Sequence, residues 1–185
     1  MFTFARIIYH CIARVLALPF VLMTKFTRYV YVAELISLIP FRIGEHIRFY
    51  FYKKTLTACG DDVIIRFGTI ISYPDIKIGN HVYLGVYNTL GLVEIGDFTQ
   101  TAQHCNLLSG AHHHEFNDAN IPIMEQASNL DKIIVGSDVW IGANATIMAN
   151  IGKGCVIGAG SIVTKEIPPY SVAAGNPAHI IKSRK

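Results

Sequence analysis

The stretch Ser109-Gly110-Ala111-His112-His113-His114-Glu115 holds the best candidates for chemistry in this chain. An imidazole titrates close to neutral pH, so it can take a proton from a hydroxyl and return it within one turnover. The same ring is a common ligand for zinc and other metals. Residue type alone leaves both roles open.

The elements that must position these histidines announce themselves by a period of six. An aliphatic residue followed by Gly or a small residue recurs at Ile78-Gly79, Leu84-Gly85 and Leu90-Gly91. After one shortened step the pattern resumes at Ile95-Gly96 and Thr101-Ala102, and later at Val135-Gly136, Ile141-Gly142 and Ile157-Gly158. Six is neither the helical period nor strand alternation. It is the hexapeptide repeat of a parallel β-helix, three hexads to a triangular coil. The histidines stand where the rhythm stops. Residues 113–132 form a polar excursion loop, long enough to expect function in it.

The fifth position of each hexad should also point inward, at a crowded corner. Those positions are Val82, Asn88, Thr99, Cys105, Val139, Ala145, Cys155 and Ser161, all small or compact. Cys105 and Cys155 are therefore expected as core filler. Four cysteines without Cys-x-x-Cys spacing or a signal segment fit a cytoplasmic chain with free thiols. Between Ile147 and Ile151 the period falls two residues short, which predicts one tightened corner. Coils below Ile78 read less regularly, and Pro168-Pro169 should end the solenoid because proline cannot donate to a ladder.

Residues 1–57 have a different composition. They hold eight Lys/Arg against two Asp/Glu, and twelve of the twenty aromatics. His10, Arg14 and Pro19 interrupt the apolar run before it is long enough to span a membrane, and Arg14 also spoils a signal peptide. Pro40 followed by Ile43, Ile47, Phe51 and Lys54 predicts an amphipathic helix, with Glu45, Arg48 and Tyr52 on other faces. Two readings stay open for this segment: peripheral contact with a membrane, on its inner face, or packing against the β-helix or a neighbouring subunit. The remainder is mildly acidic, which argues against nucleic acid.

Three motifs, taken together, resemble the hexapeptide-repeat acyltransferases. They are Asp138-Val139-Trp140-Ile141-Gly142-Ala143-Asn144, Ile157-Gly158-Ala159-Gly160-Ser161-Ile162-Val163-Thr164-Lys165, and Ala174-Gly175-Asn176-Pro177-Ala178. The similarity covers about residues 60–182 and is nearest to the galactoside, maltose, xenobiotic and polysaccharide O-acetyltransferases. It implies a mainly β fold, a left-handed parallel β-helix, usually assembled as a homotrimer with acetyl-CoA in a groove between subunits. It implies His112 as general base, with His114 the second histidine of the motif. Trp140, Ala143, Ala159 and Thr164 match positions along the pantetheine arm, while Lys165, Lys182 and Arg184 are candidates for the nucleotide phosphates. Asn106 and Gln126 are candidates on the acceptor side.

His104 is followed by Ser109 rather than the histidine that the metal-dependent carbonic anhydrases of this fold would require, so no metal is expected. His81 and His104 are expected as surface or interface residues. The segment after Asn150 departs from the family pattern beside the cofactor groove. The expected organisation is a helical segment 1–57, a β-helix 58–170 and a tail 171–185. The expected function is transfer of acetyl from acetyl-CoA to a sugar hydroxyl, on a lipid-linked or other surface-polysaccharide precursor. An antibiotic O-acetyltransferase and a catalytically inactive trimerisation module are the alternatives.

Overall fold

The computed structural model describes residues 2–110 and 114–185, and the side chains of residues 2–8 lie outside that description. Each short strand pairs in parallel with the strand one coil away, so the strands stack into three faces. The first face comprises β1 (Ala58–Cys59), β4 (Lys77–Ile78), β7 (Val93–Ile95) and β10 (Ile133–Val135), continued by bridges at Ile151 and Ile167. The second holds β2 (Ile64–Ile65), β5 (Tyr83–Leu84), β8 (Gln100–Thr101), β11 (Trp140–Ile141), β13 (Val156–Ile157), β15 (Ser171–Gly175) and β16 (Ala178–Ser183). The third holds β3 (Ile70–Ile71), β6 (Thr89–Leu90), β9 (Asn106–Leu107), β12 (Thr146–Ile147) and β14 (Ile162–Val163).

The second residue of most of these pairs points inward, and Ile65, Ile71, Ile78, Leu84, Leu90, Leu107, Ile141, Ile147 and Ile157 form one continuous core. All eight fifth positions are buried too, as expected, including Cys105 and Cys155. The polar ones are satisfied. Asn88 receives a 2.8 Å hydrogen bond from the Cys105 amide and donates to the Thr101 hydroxyl, while the Thr99 hydroxyl donates to the Gly136 carbonyl at 2.8 Å. Burial without those partners would be costly.

The coil 58–76, which reads as irregular in sequence, is regular: Cys59, Ile65 and Ile71 follow one another at steps of six. The tight step from Ile147 to Ile151 is not an isolated defect either, because the step from Val163 to Ile167 repeats it one coil later. Ile151 still pairs in register with Val135 and Ile167. The prolines also fail to stop the solenoid. Pro168 and Pro169 sit in a corner, where no ladder donor is needed, and β15 adds to the second face beyond them before β16 folds back antiparallel.

Three helices, α1 (Phe2–Met23), α2 (Tyr29–Ser37) and α3 (Phe41–Thr55), precede the first coil. The buried face of α3 is rotated from the expectation: Ile47 and Phe51 are buried, but so are Arg48 and Tyr52. Their neighbours explain it. Arg48 Nε donates to the Ile65 carbonyl at 2.9 Å, and Nη1 to the carbonyls of Ile36 and Ile39 at 3.1 and 2.9 Å. The guanidinium thus serves the open carbonyls at the end of α2, the negative end of its dipole, and ties them to the first coil. Burial pulls its pKa down to about 10, which still leaves it charged at neutral pH. The Tyr52 hydroxyl accepts from the Ile71 amide, and burial drives its pKa upward.

Candidate functional site

Every coil has three corners, and they are not equivalent. At the first corner, Asp62, His81, Phe98, Asp138 and Tyr170 all have φ between 54° and 59°, with Gly154 completing the series. At the second, Tyr87, His104 and Asn144 do the same, with Gly68 and Gly160. In successive coils the amide of this left-handed residue donates to a carbonyl of the coil before, as from Phe98 to Asn80 and from Asn144 to Gln103. Side chains stack along the corner as well: His81 on Phe98 and Tyr87 on His104, with ring centroids 4.8 and 5.3 Å apart. That places His81 and His104 on the outer surface, as expected of them.

The third corner carries the excursion. The chain leaves the third face after Leu107 and rejoins the first at Ile133. Its neck is closed by the Asp131 amide donating to the Ser109 carbonyl at 3.0 Å, and by the Ser109 hydroxyl accepting from the Leu92 amide at 2.8 Å. Gly110 has φ 80°, and a Cβ there would lie 2.6 Å from that of Asp131, so the close approach requires glycine. Further out, His114 bridges Ser128, and the Glu115 amide donates to the Ala127 carbonyl at 2.9 Å. His112 lies outside the described residues. Its sequence neighbours Gly110 and His114 belong to these two closures.

Gln126 holds the loop tip together. Its Nε2 donates to the carbonyls of Asp118 and Ile121 at 2.9 and 2.8 Å, and its Oε1 accepts from the Asp118 amide at 3.3 Å. Where the loop returns, Glu94 Oε1 meets Lys77 Nζ at 3.1 Å and Lys132 Nζ at 3.4 Å. The hydrogen bond from Lys77, aided by Lys132, holds the Glu94 carboxyl below its usual range.

The remaining candidates divide between two faces. Asn106 sits on the third face between Thr89 and Thr146. Thr164 and Lys165 are exposed at the third corner, two coils beyond the loop. Ala143 and Ala159 occupy the second corner in consecutive coils, joined by the Gly160 amide donating to the Ala143 carbonyl at 2.8 Å. This corner changes character along the solenoid. Earlier coils present Phe67, Val86 with Tyr87, and Gln103 with His104; the later ones present Ala143 with Asn144, then Ala159 with Gly160. A Cβ added at Gly160 would touch nothing within 4 Å. Small side chains and open backbone thus mark this corner in the last two coils.

Trp140 and Lys182 lie on the second face. Trp140 aligns with Val156, Val156 with Val172, and Val172 with Lys182, so the two share one row, about 14 Å apart at three strand spacings. Trp140 is 56% exposed. Beside it, Arg184 donates to the Gly154 carbonyl at 2.7 Å and pairs with Asp138 at 3.3 Å. Trp140, Phe98, Val156 and Arg184 line a recess of about 340 Å³. The candidates of one chain therefore spread over the second face, the second corner and the third face rather than forming one cluster. Among the described residues, no group of three or more His, Cys, Asp or Glu side chains could hold a metal ion.

The reason for the changing corner emerged only in three dimensions, but its signal was present: the residue pairs at spacings of sixteen to forty turn small after Asn144. The neck contacts of Ser109 and Asp131 had no such signal, because they join residues across the loop.

Known proteins resemble this chain in sequence and in fold. The sequence profile described as "Hexapeptide repeat of succinyl-transferase" matches residues 132–165. A protein of Escherichia coli (strain K12) named as a colanic acid biosynthesis acetyltransferase, WcaF, is 32% identical over 132 residues, 68% of this chain and 68% of that one. A protein of Mycobacterium tuberculosis named as an acetyltransferase is 35% identical over 115 residues, 60% of this chain but 38% of its own length. The aligned parts span only 25% to 38% of the first four curated relatives. The crystal structure of a maltose O-acetyltransferase from Clostridium difficile 630 superimposes with a TM-score of 0.76 at 25% identity, covering 89% of each chain. The solenoid is accordingly the left-handed parallel β-helix. With repeat geometry and a relative matched over two thirds of both lengths in agreement, the chain belongs to the hexapeptide-repeat acyltransferase family.

Proposed function

We propose that this chain is an acyl-CoA-dependent acetyltransferase that moves acetyl from acetyl-CoA to a sugar hydroxyl, the sugar being part of a surface-polysaccharide precursor. One observation carries the reading from the family to this chain: the second corner thins to Ala143, Ala159 and Gly160 at the edge of the face that exposes Trp140. A pantetheine arm is slender and offers amide groups, so it suits a corner of small side chains and open backbone. Candidates spread over two faces and the corner between them favour a groove completed between copies, hence a homotrimer. Thr164 and Lys165 then border the donor, and Lys182 with Arg184 supplies cations for its phosphates.

His112 acts as the general base. It takes the proton of the acceptor hydroxyl as that oxygen attacks the thioester carbonyl; the C–S bond then breaks, and the imidazolium returns its proton to the departing thiolate. No acyl-enzyme is required, because holding acceptor and thioester together supplies the rate by proximity. His114 supports the loop beside it, Asn106 faces the acceptor from the third face, and Gln126 shapes the acceptor pocket by fixing the loop tip. The sugar acceptor is carried over from the maltose O-acetyltransferase and from the relative named for colanic acid biosynthesis.

Residues 1–57 rest peripherally on a membrane, where a lipid-linked acceptor would be found. Val15, Leu22 and Phe26 are exposed, and no Asp or Glu occurs before Glu34. No described helix is long and apolar enough to cross a membrane.

The test is release of free thiol from acetyl-CoA with maltose, nucleotide sugars and an antibiotic panel as acceptors. Sugar-dependent release is the expected result. Release only with antibiotics would replace the acceptor, and absence of CoA binding by calorimetry would leave a scaffold with no transferase role.

A further inference from the structure

We infer that the cavity between α1, α3 and the first coil binds the phosphate of an anionic lipid headgroup, so that the N-terminal helices select anionic over zwitterionic membranes. The inference rests on the peripheral membrane contact proposed above and adds a specific site to it.

The cavity measures about 650 Å³ and is bounded by Arg14 and Leu18 of α1, Tyr50 and Lys54 of α3, and the corner of the first coil. Its two acidic groups have unequal partners: Lys53 for Asp61, and for Asp62 the His81 ring, which pairs as a charge only when protonated. Asp61 accepts from Lys53 Nζ at 2.9 Å, and the same ammonium reaches the Cys59 and Gly60 carbonyls; Asp62 lies 3.4 Å from His81 Nδ1. Among the described residues, Arg14 and Lys54 have no carboxylate partner. The Arg14 guanidinium lies over the Tyr50 ring, 5.1 Å from its centroid, which uses its face and leaves its N–H edge open. Lys54 is exposed and has no hydrogen bond or ion pair among the described residues. Two cations without a carboxylate partner at the mouth of a cavity fit a phosphate better than a neutral sugar.

The apolar surface decides what that phosphate is attached to. Leu18 both lines the cavity and is half exposed, and Val15, Leu22 and Phe26 continue the apolar surface of the helix; Phe26 is 87% exposed. A free phosphate or nucleotide would leave that surface in water. A phospholipid covers it with acyl chains while its phosphate reaches Arg14 and Lys54. Charge agrees. Residues 1–33 carry four Lys/Arg and no Asp/Glu, whereas the body from residue 58 onward carries eleven Asp/Glu against eight Lys/Arg, so this end is drawn to an anionic surface more strongly than the solenoid as a whole.

The experiment is co-sedimentation of the full chain with vesicles of phosphatidylcholine alone, or mixed with phosphatidylglycerol, at about 0.1 M salt. The wild type should partition preferentially to the mixed vesicles. Each of Arg14→Gln and Lys54→Gln should lower that partition about five-fold, and the pair about twenty-five-fold, with binding to phosphatidylcholine unchanged. Leu22→Ser with Phe26→Ser should weaken binding to both kinds. Lys54→Gln alone guards against misfolding, because that side chain is exposed and makes no hydrogen bond or ion pair among the described residues, and circular dichroism checks the others. Equal binding to both vesicles, or a preference kept in the double variant, overturns the headgroup site and leaves the membrane contact standing. Binding of inorganic phosphate as tight as that of the vesicles overturns the lipid assignment. No binding to any vesicle overturns both, including the case where a second copy covers this face.

Discussion

The first two corners of the solenoid and the third follow different rules. Inward residues across the first two corners are always six apart, as from Ile78 to Leu84 to Leu90, or Val135 to Ile141 to Ile147. Across the third corner the step is seven from Ile71 to Ile78, five from Leu90 to Ile95, and four from Ile147 to Ile151 and from Val163 to Ile167; from Leu107 to Val135 it opens into the loop. The fixed corners stack a left-handed residue on its predecessor in each coil, so their length cannot change alone. The third lacks that series, and length variation, including the loop that carries His112, collects there. Regular stacking and length variation occupy separate corners of one triangle.

The contrast should be largest in turnover. His112→Ala should reduce acetyl transfer about 10²- to 10⁴-fold, the usual contribution of a general base, while the melting temperature stays within experimental error. A parallel loss of fold would show that this corner also carries stability.

Insertions should give the next largest difference. One extra Gly after Ala149, at the third corner, should cost about 1 kcal/mol or less, because that corner already accommodates steps of four to seven. The same insertion after Ala143 shifts the following strand by one residue and turns its inward side chains outward, which should cost more than about 3 kcal/mol. Thermal melts of both variants read the difference, and equal losses would erase the distinction.

Thiol reactivity should follow. Cys105 and Cys155 sit inside fixed corners, fully buried, and burial pushes the Cys105 thiol up. Cys59 is pushed up to about 11 for the same reason, while Cys11 is exposed on α1. An alkylating reagent should therefore label Cys11 first, Cys59 slowly, and the two corner cysteines only on unfolding. Mass spectrometry over a time course would show otherwise if the fixed corners open.

The smallest effect lies at the base of the loop. Because Lys77 and Lys132 depress the Glu94 pKa, the stabilisation is present above the ordinary carboxylate range and fades as pH falls through the depressed value. Wild type should melt slightly higher than Glu94→Gln near neutral pH, the gap should narrow as pH falls below the ordinary carboxylate range, and salt should shrink it. A gap that persists in acid would point to packing rather than charge.

Much of the fold was legible in sequence because the fixed corners force a period. Each inward aliphatic and each compact fifth residue, from Val82 to Ser161, is dictated by its own coil, and the pattern exposes it. Arg48 was misplaced for the opposite reason. A charged side chain reads as solvent-facing, whereas the carbonyls of Ile36, Ser37, Ile39 and Ile65, brought together from the end of α2 and the first coil, give the buried guanidinium its partners. Pro168 and Pro169 misled in the same way, since a proline ends a ladder only when it falls in the strand.

For the candidate site, the histidine run and the loop were visible as an interruption of the rhythm. Gln126 was legible as a candidate, but its hydrogen bonds to Asp118 and Ile121 tie it to the loop rather than leave it free.

The sequence by itself determined the repeat, the inward residues and the place where the repeat breaks, because each depends on residues close along the chain. Tertiary structure decided which corner absorbs the breaks, that Ala143 and Ala159 stack at one corner in consecutive coils, and that Trp140 shares a row with Lys182. Those depend on what lies one coil above and below. Spacing between coils varies with every step at the third corner, so only the folded stack fixes which residues meet.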